Sequence, residues 1–176
     1  MKRLVLVRHA KSSWKEDGLA DRDRPLNRRG KRDAPMLGER LAARGIAPDR
    51  IVSSPARRAQ RTARVLAAAL DYPADAIETA EEIYEASVDT LFHRVRCLDE
   101  ADQTVVFVGH NPGFTELCNL LTGAQLINLP TCAAALLEFP LPHWSQVAPA
   151  SGALVWLDTP KHPALEPAAK TTEPPT

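Results

Sequence analysis

Two histidines, two arginines and a serine follow three short apolar runs of the sequence. Arg8 and His9 end the first run, Ser54 and Arg58 come after the second, and His110 follows the third. Arginine side chains match phosphate oxygens two at a time, and free backbone N–H groups at helix starts also favour anions. Together these groups predict a compact site for a dianion, and phosphate is the dianion that fits this chemistry best.

His9 is the candidate nucleophile of such a site. A neutral imidazole can attack phosphorus near pH 7 because its basic nitrogen is largely unprotonated and needs no separate base. Its other ring nitrogen must then donate to a backbone carbonyl, so that the attacking nitrogen keeps its lone pair toward the substrate. In the transition state of phosphoryl transfer, negative charge lies on the three equatorial oxygens of phosphorus. Hydrogen-bond donors held in fixed positions stabilise this transition state more than the ground state. The candidates for these donors are Arg8, Arg58 and His110.

The elements that must position these residues alternate between strands and helices. Short apolar runs predict strands over residues 3–7, 51–53, 104–109, 133–139 and 152–157. Capping residues and apolar stripes predict four helices, which begin at Asn27, Ser54, Ser87 and Pro112. This order favours a three-layer α/β/α sandwich with a mostly parallel central sheet, in which ligands bind beyond the carboxyl ends of the strands.

The chain length and composition fit one intracellular domain. Of 176 residues, 22 are basic and 22 acidic, so no global field attracts nucleic acid or an anionic membrane. The short apolar run at the N-terminus lacks the features of a signal peptide, and we expect a cytoplasmic protein. Residues 1–157 are predicted to form the domain, and residues 158–176, rich in Pro, Thr and Glu, a disordered tail. The remaining histidines lack metal-ligand spacing, so no metal ion or cofactor is expected.

Three segments of the sequence resemble the histidine phosphatase superfamily, which has the phosphoglycerate mutase-like fold. Residues 6–12 resemble its opening Arg-His-Gly motif, with Ala10 in place of glycine. Residues 54–63 resemble its second motif, in which the arginine immediately before alanine binds phosphate; this selects Arg58 over its neighbour. Residues 108–113 resemble the third motif, which supplies the second histidine of the pocket. Three motifs in this order are highly specific.

The resemblance is closest to the short SixA-type phosphohistidine phosphatases and covers residues 1–157. Residues 8–14, 23–26 and 110–113 fit their pattern. It implies a covalent phosphohistidyl enzyme that hydrolyses phosphohistidine on a protein, such as a histidine-containing phosphotransfer domain. It also implies that Ser12 and Asn111 contact the substrate.

The resemblance also suggests where a proton donor to the leaving group would lie. Larger superfamily members have a glutamate before an aromatic residue, and spacing from Tyr84 selects Glu81 as the equivalent, with Glu82 and Glu85 as alternatives. SixA-type members are described as working without such an acid. Imidazole leaves phosphorus more easily than an alkoxide does, so a weak acid site favours phosphoramidate substrates.

Two other functions stay open at this stage. A broad phosphomonoesterase acting on small phosphorylated molecules would need a working acid among the glutamates. A phosphate-recognition module without turnover would lack the nucleophile or the second histidine, and both are present. Trp14 either stacks on the substrate or covers the site.

Overall fold

The five apolar runs form five of the six strands of one sheet in the computed structural model, which describes residues 1–15 and 18–162. The sixth strand has only two polar residues, Glu78 and Thr79, and no apolar run predicts it. The strands are β1 (Lys2–Arg8), β2 (Arg50–Ser53), β3 (Glu78–Thr79), β4 (Thr104–Gly109), β5 (Ala134–Phe139) and β6 (Ala153–Asp158). Their order in the sheet is β3-β2-β4-β1-β5-β6. The first four in this order are parallel to one another, and β5 runs antiparallel to both of its neighbours.

Helices cover both faces of this sheet. They are α1 (Arg28–Ala43), α2 (Arg57–Ala69), α3 (Val88–Arg96) and α4 (Gly113–Thr122). The helices α1 and α2 bury one apolar cluster against the sheet, whereas α3 and α4 bury a second cluster on the opposite face. The predicted three-layer sandwich with a mostly parallel sheet is therefore confirmed. Across the described residues, none of the helices is both long and apolar enough to cross a bilayer.

Two of the predicted helix caps are formed as the sequence indicates. The Asn27 side chain accepts a hydrogen bond from the Gly30 N–H at the start of α1, and Ser87 accepts one from the Thr90 N–H at the start of α3. Each cap satisfies a backbone donor that the helix itself cannot pair and contributes about 1 kcal/mol.

The predicted start of α2 is wrong by two residues. The sequence places a cap at Ser54, but the helix begins at Arg57 with Ala56 before it. The Ser54 N–H donates to the Val108 carbonyl at 2.9 Å and so continues the β2–β4 pairing. The Ser54 hydroxyl accepts from His110 at 2.7 Å and from the Ala56 N–H, which precedes the helix, at 3.3 Å. Because tertiary partners hold this serine in the sheet, the helix starts after it.

The last strand extends one residue beyond the predicted domain boundary. Asp158, which we expected to open the tail, ends β6 and is fully buried. Its carboxylate accepts from Arg40 and Arg44, each with a closest approach of 2.7 Å, so its charge is compensated inside the fold. Residues 163–176 of the predicted disordered tail lie outside the described residues.

Candidate active site

The carboxyl ends of three adjacent strands bring the predicted catalytic residues together. Because β2, β4 and β1 are neighbours and parallel, the residues that follow them meet at one edge of the sheet. A cavity of about 290 Å³ opens there. Its lining includes all six predicted catalytic and substrate-binding residues: Arg8, His9, Ser12, Arg58, His110 and Asn111.

His9 has the hydrogen bonds that a nucleophilic imidazole requires. Its Nδ1 lies 2.8 Å from the Ala10 carbonyl, an acceptor, so Nδ1 carries the proton and Nε2 keeps its lone pair. The Arg58 Nε–H donates to this Nε2 at 3.2 Å. Burial of the ring, together with the nearby arginines, lowers the pKa of His9 to about 4, although the backbone carbonyl opposes the change. The imidazole is therefore neutral near pH 7.

His110 faces the same cavity as a second neutral imidazole. Its ring centroid lies 5.1 Å from that of His9. Arg58 Nη2 is 3.4 Å from Nδ1 and can only donate, so Nε2 carries the proton and donates to the Ser54 hydroxyl at 2.7 Å. Burial, followed by the neighbouring His9, lowers the pKa of His110 to about 3.

We predict that both imidazoles stay neutral at pH values at which a histidine in an unfolded chain is protonated. In an NMR titration from about pH 7.5 to about pH 5.5, the Cε1–H signals of His9 and His110 are expected to stay unshifted, because burial disfavours their charged forms. The unfolded chain takes up protons near pH 6.5 that the folded chain does not bind. Stability contributed by these residues therefore falls as the pH drops from about 6.5 toward about 4. The two signals are assigned by their disappearance in His9→Gln and in His110→Gln. If either assigned signal titrates near pH 6.5 in the wild type, the prediction is wrong.

Arg8 has an unpartnered donor beside the cavity. Its Nη1 donates to the Leu129 carbonyl at 2.7 Å, but its Nε is buried with no hydrogen-bond partner. A buried, unpaired donor is costly, so an anion that accepts from Nε would remove this cost. Burial also lowers the pKa of Arg8, as expected for a cation that lacks a counter-ion. These features suit a site that is completed by a phosphoryl oxygen.

Asn111 supports the site rather than offering a free amide to it. Its side-chain N–H groups donate to the Leu129 carbonyl at 2.9 Å and to Asn128 at 2.7 Å. Its carbonyl accepts from the Thr115 hydroxyl at 3.0 Å. These bonds hold the same carbonyl to which Arg8 donates, so Asn111 orients Arg8 through the backbone of Leu129.

Asp21 is a site residue that the sequence did not reveal. Its carboxylate accepts from Arg58 at 2.9 Å, from Arg24 at 2.7 Å and from the Tyr84 hydroxyl at 2.9 Å. Partial burial would raise the pKa of Asp21, but the hydrogen bonds from Tyr84 and the two arginines outweigh it and lower the pKa to about 2. Asp21 is thus a permanent anion that orients Arg58. The only signal in the sequence is its position in a polar loop.

Ser12 and Trp14 are tied to Arg24 at the mouth of the cavity. The Arg24 guanidinium donates to the Ser12 hydroxyl and lies 3.3 Å from the centre of the Trp14 ring. Ser12 is buried and keeps its own hydroxyl proton for an incoming oxygen. Trp14 is 73% exposed and stacks on a cation instead of covering the site. It therefore forms part of the rim.

The expected general acids Glu81 and Glu82 do not line the cavity. They begin a short 3₁₀ helix, Glu81–Ile83, whose buried residue is Ile83. This places Glu81 outward in an ion pair with Arg22 and Glu82 outward beside Arg94. Glu85, the remaining alternative, does line the cavity because its backbone turns there with φ 51°.

The charges around the cavity match a dianion. Four cations and two carboxylates line it, a formal excess of two positive charges: Arg8, Lys11, Arg24 and Arg58 against Asp21 and Glu85. The two imidazoles are neutral and leave this excess unchanged. Among the described residues, no three His, Cys, Asp or Glu side chains come together to hold a metal ion.

Two residues away from the cavity fix the backbone that carries His9. The Thr62 hydroxyl accepts from the Ala10 N–H at 3.0 Å and donates to the Arg58 carbonyl at 2.8 Å. A side chain on Gly30 would meet the Lys11 carbonyl at 2.2 Å, so only glycine lets α1 approach the strand end this closely. These contacts link both motif segments to the helices around them.

Comparison with known proteins agrees with this geometry. The family model of the histidine phosphatase superfamily, branch 1, matches residues 4–96. An uncharacterized protein of Mycobacterium tuberculosis is 34% identical over 165 residues, which cover 88% of this chain and 100% of that protein. A structure from Agrobacterium tumefaciens assigned to the phosphohistidine phosphatase SixA is 28% identical, with a TM-score of 0.75 over 90% of this chain and 98% of that one.

The same fold also occurs in a phosphatase of small molecules. The mycobacterial glucosyl-3-phosphoglycerate phosphatase superposes with a TM-score of 0.63 at 17% identity, over 88% of this chain and 97% of that one. At this identity the likeness concerns the fold alone, so the fold by itself does not select a substrate. The family match, the cavity and the SixA likeness together define the assignment: the chain belongs to the histidine phosphatase superfamily and is of its SixA type.

Proposed function

We propose that the protein hydrolyses phosphohistidine on a protein substrate through a covalent intermediate on His9. The observation that carries this proposal is the geometry of His9, a neutral imidazole whose Nδ1 proton is fixed by the Ala10 carbonyl and whose Nε2 accepts from Arg58, with the His110 ring beside it. A neutral nucleophile surrounded by fixed donors is what phosphoryl transfer requires.

The reaction proceeds in two displacements at phosphorus. In the first, His9 Nε2 forms a bond to phosphorus while the P–N bond of the substrate breaks, and the released imidazole takes a proton from solvent. In the second, water attacks phosphorus, the bond to His9 breaks and inorganic phosphate leaves. Arg8, Arg58 and His110 bind the phosphoryl oxygens in both steps. Arg58 exchanges its bond to Nε2 of His9 for one to the substrate, and His110 turns its Nε2 proton from Ser54 to a phosphoryl oxygen.

The acids around the cavity favour a phosphoramidate substrate. Asp21 has a pKa of about 2 and cannot supply a proton near pH 7, and neither Glu81 nor Glu82 reaches the cavity. Glu85 is the one remaining carboxyl group among the described residues that line the cavity. An alkoxide needs this proton, whereas imidazole is a far better leaving group. The substrate class that we propose is accordingly phosphohistidine, for example on a histidine-containing phosphotransfer domain.

Substrate preference tests the proposal. We expect kcat/KM for a phosphohistidine peptide to exceed that for glucose 6-phosphate by about 100-fold or more, because general acid catalysis is worth about 10²–10⁴-fold for a poor leaving group. Both assays contain EDTA, so they also test our proposal that no metal ion takes part.

A small-molecule phosphomonoesterase is the second candidate, and Glu85 is the observation that favours it, since this carboxyl group lines the cavity. Comparable rates on both substrates, with the sugar phosphate activity lost in Glu85→Gln, would support this candidate and contradict the proposed function. Turnover that disappears with EDTA and returns with a divalent ion would contradict metal independence.

A further inference from the structure

A groove lined by cations lies between the start of α1 and the first two turns of α2. We name it the basic groove and define it by Lys31 of α1, by Arg57, Arg61 and Arg64 of α2, and by Leu26 at its floor. It encloses about 410 Å³. The four cationic side chains are exposed, whereas Leu26 is buried, so the groove presents positive charge along its walls.

The cations of the basic groove have no counter-ions in the described part of the chain. Within residues 1–15 and 18–162, none of the four makes an ion pair or a side-chain hydrogen bond: Lys31, Arg57, Arg61 and Arg64. Neither α1 nor α2 has an acidic residue in its first turn, and each begins with two arginines. Cations near a helix N-terminus oppose the helix dipole. Stability of the fold therefore does not account for this concentration of positive charge.

The basic groove and the catalytic cavity are lined by neighbouring parts of the chain. Leu26 lies two residues after Arg24, which lines the cavity, and Arg61 lies about one helical turn after Arg58. We therefore expect a polypeptide whose phosphohistidine enters the cavity to extend onto these side chains. At the mouth of the cavity, the exposed Trp14 adds an aromatic contact of the kind that is enriched in protein interfaces.

We propose that the basic groove binds an acidic surface of the phosphorylated protein and so selects a protein substrate over a free phosphohistidine. This inference rests on the proposed function and specifies, in addition, that the surface of the substrate protein around the phosphohistidine is negatively charged. The basic groove has no aromatic side chain on which bases could stack, and the chain as a whole carries no net charge. Both features favour a compact acidic protein surface over a nucleic acid.

The test compares two phosphohistidine peptides of equal length. One has aspartates around the phosphohistidine, and the other has serines at the same positions. For the full-length wild type at low ionic strength, we expect kcat/KM to be about tenfold higher for the aspartate peptide, with the difference disappearing near 0.5 M salt.

Charge reversal in the basic groove supplies the second arm. Arg61→Glu, alone and combined with Arg64→Glu, should remove the preference for the aspartate peptide while hydrolysis of the serine peptide stays within about twofold of wild type. The matched control is Arg96→Glu. This arginine is also exposed on a helix, but it ends α3 on the opposite face of the sheet.

Several outcomes would overturn the proposal. A preference that persists in the double variant, or an equal loss on both peptides, would contradict docking in the basic groove. Equal hydrolysis of the two peptides by the wild type would also contradict it, while leaving the proposed function intact. Hydrolysis of neither peptide would overturn the proposed function and the docking with it. Inhibition by a single-stranded oligonucleotide that exceeds inhibition by polyglutamate of equal charge would assign the basic groove to nucleic acid instead.

Discussion

Replacement of His9 by alanine is expected to reduce turnover by about 10⁴-fold or more, because no other group can form the covalent intermediate. Brief incubation with labelled phosphoramidate, followed by denaturation, should leave acid-labile, alkali-stable label on the wild type and none on the variant. The control is His93→Ala, which changes an exposed histidine on α3 outside the cavity and should keep both turnover and label.

Loss of activity in His9→Ala must be separated from loss of structure. His9 is 8% exposed, and its removal leaves Arg58 with its bonds to Asp21. We therefore expect circular dichroism spectra that match the wild type. A folded variant that still becomes labelled would exclude His9 as the nucleophile.

Arg58→Ala is expected to lower kcat by about 10³-fold with phosphoramidate as substrate, since a preorganised donor to a developing anion is worth about 3–4 kcal/mol. Arg58 is the most connected cation of the cavity, where it donates toward His9, His110 and Asp21. The loss should appear mainly in kcat because these donors bind the transferring phosphoryl group most strongly in the transition state.

The neighbouring arginine is the matched comparison for this prediction. Arg57 occupies the first position of α2, is exposed and lies outside the catalytic cavity. Arg57→Ala should stay within about threefold of wild type on the same small substrate, because an exposed arginine contributes little. Comparable losses in the two variants, or a mild effect of Arg58→Ala, would show that the wrong arginine of the pair had been selected.

Five of the six strands and the gathering of His9, Arg58 and His110 could be predicted from local patterns, whereas β3, with two polar residues, has no such pattern. The run over residues 104–109 is apolar and β-branched, and β4 occupies those same residues. Each motif follows a strand, and parallel neighbours bring such positions to one edge. The order of the strands in the sheet cannot be read from local sequence patterns. The alternation of strands and helices nevertheless leaves few possible orders, and this was enough to predict that the three motif segments lie at one edge of the sheet.

The errors arose where partners distant in sequence decide the structure. Ser54 resembles a helix cap, but hydrogen bonds to β4 and His110 keep it in the sheet. Glu81 has the spacing of a general acid, but the buried side chain of Ile83 turns it outward. Asp21 belongs to a loop without periodicity, so nothing in its neighbours indicates that it lies against Arg58. Each case depends on a tertiary contact that spacing along the chain does not encode.

The ion pair between Asp21 and Arg58 has a consequence for the end of each catalytic cycle. Inorganic phosphate carries as much negative charge as the group that entered, so a purely cationic pocket would hold its product tightly. Asp21 stays ionised throughout and offers the guanidinium a resident acceptor when phosphate departs. The Asp21 carboxylate therefore competes with phosphate for Arg58. After phosphate has left, the buried Arg58 guanidinium still has an anionic partner.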